Sequence, residues 1–129
     1  MSVGYEAGGM SDTDTEEGGV VEPGRPVTLG SREEYDRLLG EPLVLLEFVT
    51  PGCGICASME PVLGNVARVA PGVVAIADAT TVPELAAEYD VRKAPTLVVL
   101  RDGEEVARLD EGFQPAERLV DLLERHAED

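Results

Sequence analysis

The chain has 129 residues, 43% of them hydrophobic, which is enough for one domain around one core and too little for two. It has no tryptophan and only 4% aromatic residues, so that core is aliphatic. With 26 acidic against 10 basic residues the net charge is −16, which argues against nucleic acid and anionic membranes as partners.

Residues 1–24 are rich in Gly, Ser, Thr, Asp and Glu and carry no hydrophobic period. Such a segment cannot bury enough surface to offset its ordering entropy, so the sequence predicts a disordered acidic tail at 1–24 and a folded domain at 25–129. Met10 would serve as a translation start as well as Met1. The N-terminus has neither a basic start nor an apolar h-region, and no apolar run reaches the roughly 20 residues of a membrane span. A cytoplasmic, reducing location is the expectation.

Val27 to Leu29 reads as a short strand. Ser31 and Glu34 form a capping box for a helix whose apolar face is Tyr35, Leu38 and Leu39, and Gly40 and Pro42 stop it. Leu43 to Val49 reads as a strand buried on both faces, continuously apolar except at Glu47. After Pro51-Gly52 a helix follows, with Cys56, Met59, Leu63, Val66 and Ala70 on one stripe and Pro61 inside it as a kink. Val73 to Ala77 is the next strand. Thr81 and Glu84 read as a second capping box, for a helix that faces the core with Val82, Leu85, Ala86 and Tyr89. Thr96 to Leu100 and Glu105 to Leu109 flank Asp102-Gly103, a tight-hairpin signal. Gly112 breaks the second strand, and Pro115 opens a last helix. The order β-α-β-α-β-α-β-β-α predicts an α/β fold: a central mixed sheet of four to five strands with helices on both faces.

The chemistry lies at Cys53-Gly54-Ile55-Cys56. The pair sits at a strand-to-helix junction with Cys53 at the helix start, where free N–H groups and the helix dipole favour a thiolate. A thiolate attacks disulfides, and a second cysteine one turn later resolves the product. Zinc would need four ligands, and the only other candidate is His126, near the end of the last helix, where it complements the dipole. No metal is expected within one chain; a zinc site shared between two chains is the remaining metal reading. Glu47 is the second anomaly. A carboxylate in an apolar strand is either a strand end that reaches solvent or a proton acceptor or donor behind the resolving thiol.

Together these residues resemble the thioredoxin family from Val27 to Glu124. Cys53 to Cys56 matches its redox motif, Pro61 its helix-kinking proline, and Glu47 its buried acid. Arg92-Lys93-Ala94-Pro95-Thr96 matches its cis-proline loop, and Gly112 the glycine that lets a substrate chain approach. The resemblance implies a thioredoxin fold and a protein-disulfide reductase that cycles a Cys53–Cys56 disulfide, with Glu47 taking the Cys56 proton. It also implies a substrate-binding surface at Gly52, Ala94, Pro95 and Gly112 and no bound cofactor. Implied partners are disulfide-containing client proteins and a thioredoxin reductase as electron donor, with the protein acting as a monomer. A disulfide oxidase or isomerase, and a non-catalytic binding module on the same fold, are the alternatives.

The chain departs from the family pattern at four places. Gly52 replaces a tryptophan, Val49 another aromatic residue, and Ile55 a proline; Val74 is placed where the family often has a lysine near the acid. The Ile55 N–H is expected to stabilise the Cys53 thiolate and raise the potential above the roughly −270 mV of thioredoxin.

Lys93 is the only lysine, and every other basic residue is arginine. Acid-rich, lysine-poor composition resembles that of proteins from salt-accumulating halophiles; an ordinary acidic protein with charge placed in its tail is the alternative. At molar salt the screening length falls to about 3 Å and repulsion between carboxylates is muted. The melting temperature is therefore expected to rise steeply from low to molar salt, and a melting temperature indifferent to salt removes the halophile reading.

Overall fold

A computed structural model describes residues 24–127. The expected tail at 1–24 lies outside these residues apart from Gly24. In chain order the elements are β1 (Val27–Leu29), α1 (Arg32–Leu38), β2 (Leu43–Val49), α2 (Gly54–Val69), β3 (Val73–Asp78), α3 (Pro83–Glu88), β4 (Thr96–Arg101), β5 (Glu104–Leu109) and α4 (Ala116–Ala127). This is the predicted succession of strands and helices.

Among the described residues the strands form one five-stranded mixed sheet in the order β1-β3-β2-β4-β5. The β1–β3 and β2–β3 pairs are parallel, and β2–β4 and β4–β5 are antiparallel. β2 is thus central, paired on both edges and buried along nearly its whole length. Its alternation splits the core in two. Val44, Leu46 and Phe48 join Tyr35, Leu38, Val82 and Leu85 on the α1/α3 side. Leu43 and Leu45 join Met59, Leu63, Val66, Leu119 and Leu123 on the α2/α4 side. Each fully buried leucine contributes about 2 kcal/mol of transfer free energy, so these two layers carry the fold without a tryptophan.

Local signals hold in most places. Ser31 Oγ accepts from Glu34 N at 3.2 Å, while Glu34 Oε1 reaches back to Gly30 N at 2.6 Å instead of to Ser31 N. Asp102 and Gly103 both take positive φ (52° and 84°), as a tight hairpin with a right-handed twist requires. The second expected capping box does not form. The N-cap of α3 is Val82, which caps nothing with its side chain. The turn before it is held instead by Asp78, whose Oδ1 accepts from Thr80 N and Oγ1 at 2.8 and 2.6 Å. With Pro83 at the start of the helix, one fewer N–H needs a partner there.

Gly72, which links α2 to β3, has φ +94°, and a Cβ there would lie 2.7 Å from the Leu43 carbonyl oxygen. That oxygen belongs to the backbone of the central strand and cannot move aside. Gly52 also has positive φ, at +77°, but its Cβ would meet open space. Gly72→Ala is expected to lower the unfolding free energy by about 2–3 kcal/mol, and Gly52→Ala by about 1 kcal/mol. Urea titration of both variants checks this, and equal losses would show that the contact with Leu43 is not tight.

Candidate active site

Helix α2 begins immediately after Cys53, which is its N-cap residue, with extended backbone (φ −82°, ψ 107°). The Cys53 Sγ accepts from Cys56 N at 3.1 Å, so sulfur fills the capping role usually taken by a hydroxyl or carboxylate oxygen. This bond corrects one expectation: the backbone donor to Cys53 Sγ is Cys56, not Ile55.

Cys53 and Cys56 are joined as a disulfide with Cα atoms 5.2 Å apart. Their surroundings differ. Cys53 is half-buried, while Cys56 is only 6% exposed and faces the interior with Met59 and Leu63. A molecule arriving from solvent meets the sulfur of residue 53 first.

A cavity of about 410 Å³ opens under this pair, and Glu47, Glu60, Val49 and Ile76 line it together with both cysteines. Glu47 is 1% exposed, which removes the reading of a strand end that reaches solvent. Its Oε2 is buried with no hydrogen-bond partner. Burial first, and the charge of Glu60 second, push its pKa from the ordinary 4.5 up to about 7.

The neighbour of Glu47 on β3 is Ile76, its register partner, while Val74 pairs with Leu45 one step further into the sheet. The position near the acid is therefore Ile76, and the expectation for Val74 is corrected by two residues. The result is still hydrocarbon beside the carboxylate. Sequence reasoning also missed Glu60. Its signal was available, since a residue four after Cys56 lies on the same helix face.

The Ala94–Pro95 peptide bond is cis, as expected, and Pro95 is buried. Pairing of Thr96 with Phe48 and of Leu97 with Leu109 brings the chain before β4, the chain after β2 and the chain after β5 to one end of the sheet. Ala94, Pro95, Gly52 and Gly112 are therefore grouped at the end that carries the cysteines. Gly112 has φ +96° with open space where a Cβ would sit. The segment after it is tied to α2 by Gln114 N, which donates to Met59 Sδ at 3.4 Å. Among the described residues no group of three His, Cys, Asp or Glu side chains could hold a metal ion, and no helix is long and apolar enough to cross a membrane.

Comparison with known proteins points the same way. The family model for thioredoxin matches residues 26–125. Thioredoxin of Chlamydia pneumoniae is 36% identical over 105 residues, spanning 78% of this chain and 99% of its own. Thioredoxin of Staphylococcus epidermidis is 36% identical over 95 residues, spanning 72% and 90%. A solved point variant of thioredoxin from Halobacterium salinarum aligns with a TM-score of 0.77 at 33% identity, covering 83% of this chain and 95% of that one.

The proton held by Glu47 links stability to pH. Between the ordinary 4.5 and about 7 the folded state keeps a proton that the unfolded state has released. Stability is therefore lost as pH rises through this window, and it levels off above it. Glu47→Gln, neutral at every pH, is expected to flatten that slope and to gain on the order of 3 kcal/mol over the native chain at pH 8. Urea unfolding of the oxidised protein between pH 4 and pH 8.5 reads this directly; parallel curves for the two proteins would contradict it.

Proposed function

The chain belongs to the thioredoxin family, and from that premise we propose how its residues carry out thiol–disulfide exchange on protein disulfides. Cys53 is the attacking sulfur, Cys56 the resolving sulfur and Glu47 the proton acceptor. The observation that carries this is the unequal exposure of the two sulfurs above a cavity that holds a buried carboxylate.

In the reduced protein the Cys53 thiolate sits at the start of α2, stabilised by its free N–H groups and the helix dipole. It attacks one sulfur of a client disulfide. A bond forms between Cys53 Sγ and that sulfur, and the client's other sulfur leaves as a thiolate that takes a proton from solvent. Glu47 then accepts the Cys56 thiol proton, directly or through water. The Cys56 thiolate attacks Cys53 Sγ, the mixed disulfide breaks, and the client leaves with its second thiolate. Two electrons have passed to the client, and the protein ends as the Cys53–Cys56 disulfide.

Gly52, Ala94, Pro95 and Gly112 form the surface against which the client's chain lies. Gly52 and Gly112 contribute bare backbone there, and the Ala94–Pro95 bond presents its peptide group beside them. Clients are disulfide-containing proteins, and a thioredoxin reductase returns the electrons. The folded unit at 25–129 works as a monomer in a reducing cytoplasm. A salt-rich cytoplasm fits the composition, and the Halobacterium salinarum match is compatible with it.

Reduction of insulin with dithiothreitol or a reductase as donor tests the cycle. Cys53→Ser is expected to bring turnover down to the uncatalysed level, and Cys56→Ser to accumulate covalent client adducts. Glu47→Gln is expected to leave the first attack intact and to slow client release about 10²-fold. Client binding that survives in the double serine variant, with no turnover in the native chain, would instead make this a binding module.

A further inference from the structure

We propose that Glu60 is a positioning residue for the resolving step: from the mouth of the cavity, its carboxylate governs when Glu47 can accept the Cys56 proton. The inference rests on the proton-acceptor role given to Glu47 above.

The geometry comes from α2. Glu60 follows Cys56 by four residues, so both lie on one face of the helix, one turn apart. Glu47 reaches the same cavity from β2, buried, with Oε2 unpartnered. Glu60 is exposed at the opening. The strands on either side of Glu47 offer hydrocarbon, and the remaining polar lining, Thr50 and the cysteines, carries no charge in the oxidised form. Its register partner on β3 is Ile76 and on β4 Leu97, and between Cys56 and Glu60 α2 turns Met59 inward. Among the described residues, Glu60 is the one charged side chain that shares the cavity with Glu47 and the cysteines.

A like charge across a low-dielectric space disfavours ionisation, and among the described residues no cation lines this cavity. The charge of Glu60 raises the proton affinity of Glu47 in addition to the larger effect of burial. The consequence is kinetic. Glu47 accepts the proton only in its ionised form, so Glu60 delays client release to higher pH than hydrocarbon alone would. Because Glu60 stands in solvent, its part of the effect is open to screening by salt.

The experiment follows the Glu47 side-chain carboxyl by carbon-13 NMR in the oxidised protein, with its resonance assigned by loss in Glu47→Gln. The pH profile of client release is measured in parallel. Glu60→Gln is expected to lower the Glu47 midpoint by about half a unit to one unit, and Glu60→Lys to lower it further. Glu60→Asp stays near the native value. The release profile shifts in the same order, and the difference between native and Glu60→Gln shrinks in molar salt.

If Glu60 is only a solvated helix residue, neither midpoint moves in the Gln and Lys variants, and the proposal is overturned. Its failure is distinct from failure of the reading beneath it. Unchanged release in Glu47→Gln would remove Glu47 from the mechanism, while slowed release with unmoved midpoints would remove Glu60 alone.

Discussion

The site depends on the alternation of β2, the strand at the centre of the sheet. Because β2 is hydrogen-bonded on both edges and covered on both faces, its register leaves no freedom. Period two sends Val44, Leu46 and Phe48 toward α1 and α3, and it sends Leu43, Leu45 and Glu47 toward α2 and α4. A slip of one residue would carry Glu47 to the wrong layer. The same strand releases the chain through Pro51-Gly52 into α2, whose Met59, Leu63 and Val66 pack over the face that Glu47 shares. Acid and thiols therefore meet in one cavity because one strand fixes both, the first by its pleat and the second by its end.

The energetics of that meeting are unusual in one respect. A buried carboxylate is ordinarily held by a cation or by several N–H donors, and removing such partners leaves a costly charge. Among the described residues Glu47 is given neither: Oε2 is unpartnered, and the facing residues on β3 and β4 are Ile76 and Leu97. The carboxyl responds by holding its proton, so the folded state avoids the ionised form until pH approaches 7. The protein thereby gives up stability at higher pH and holds a carboxyl whose proton affinity lies close to neutrality, the range in which acid–base catalysis is efficient.

Most of the architecture was legible because it is written in periods and breaks. The alternation of strand and helix, the hairpin at Asp102-Gly103 and the cysteine pair at the start of α2 all stand where local pattern put them, while the cis bond before Pro95 was implied only by the family resemblance. What escaped was set by tertiary register. Val74 and Ile76 are both apolar and two apart on one strand face, so sequence alone cannot say which lies beside Glu47; the β2–β3 pairing decides it. Thr81 and Glu84 have the spacing of a capping box, but Asp78 holds the turn before them and the helix starts one residue later than that box requires. The donor to Cys53 Sγ went to Cys56 because helical geometry aims the third N–H of the first turn at the cap atom, whatever residue occupies position 55.

Exposure of one sulfur and burial of the other also separate two kinds of selectivity. The buried half of the site, with Cys56, Glu47 and the hydrocarbon around them, lies out of reach of a macromolecule arriving from solvent. Around it lies an exposed rim. There the chain has Gly52 without a side chain, Ile55 at 46% exposed, and Phe113 at 51% exposed in the segment that follows Gly112. Position 52 carries no side chain, and Phe113 is the exposed aromatic ring of the segment after β5. The chain as a whole is strongly acidic, so any approaching protein meets a negative field. The exchange chemistry is that of the family, while Gly52 and Ile55 depart from its motif at the exposed rim.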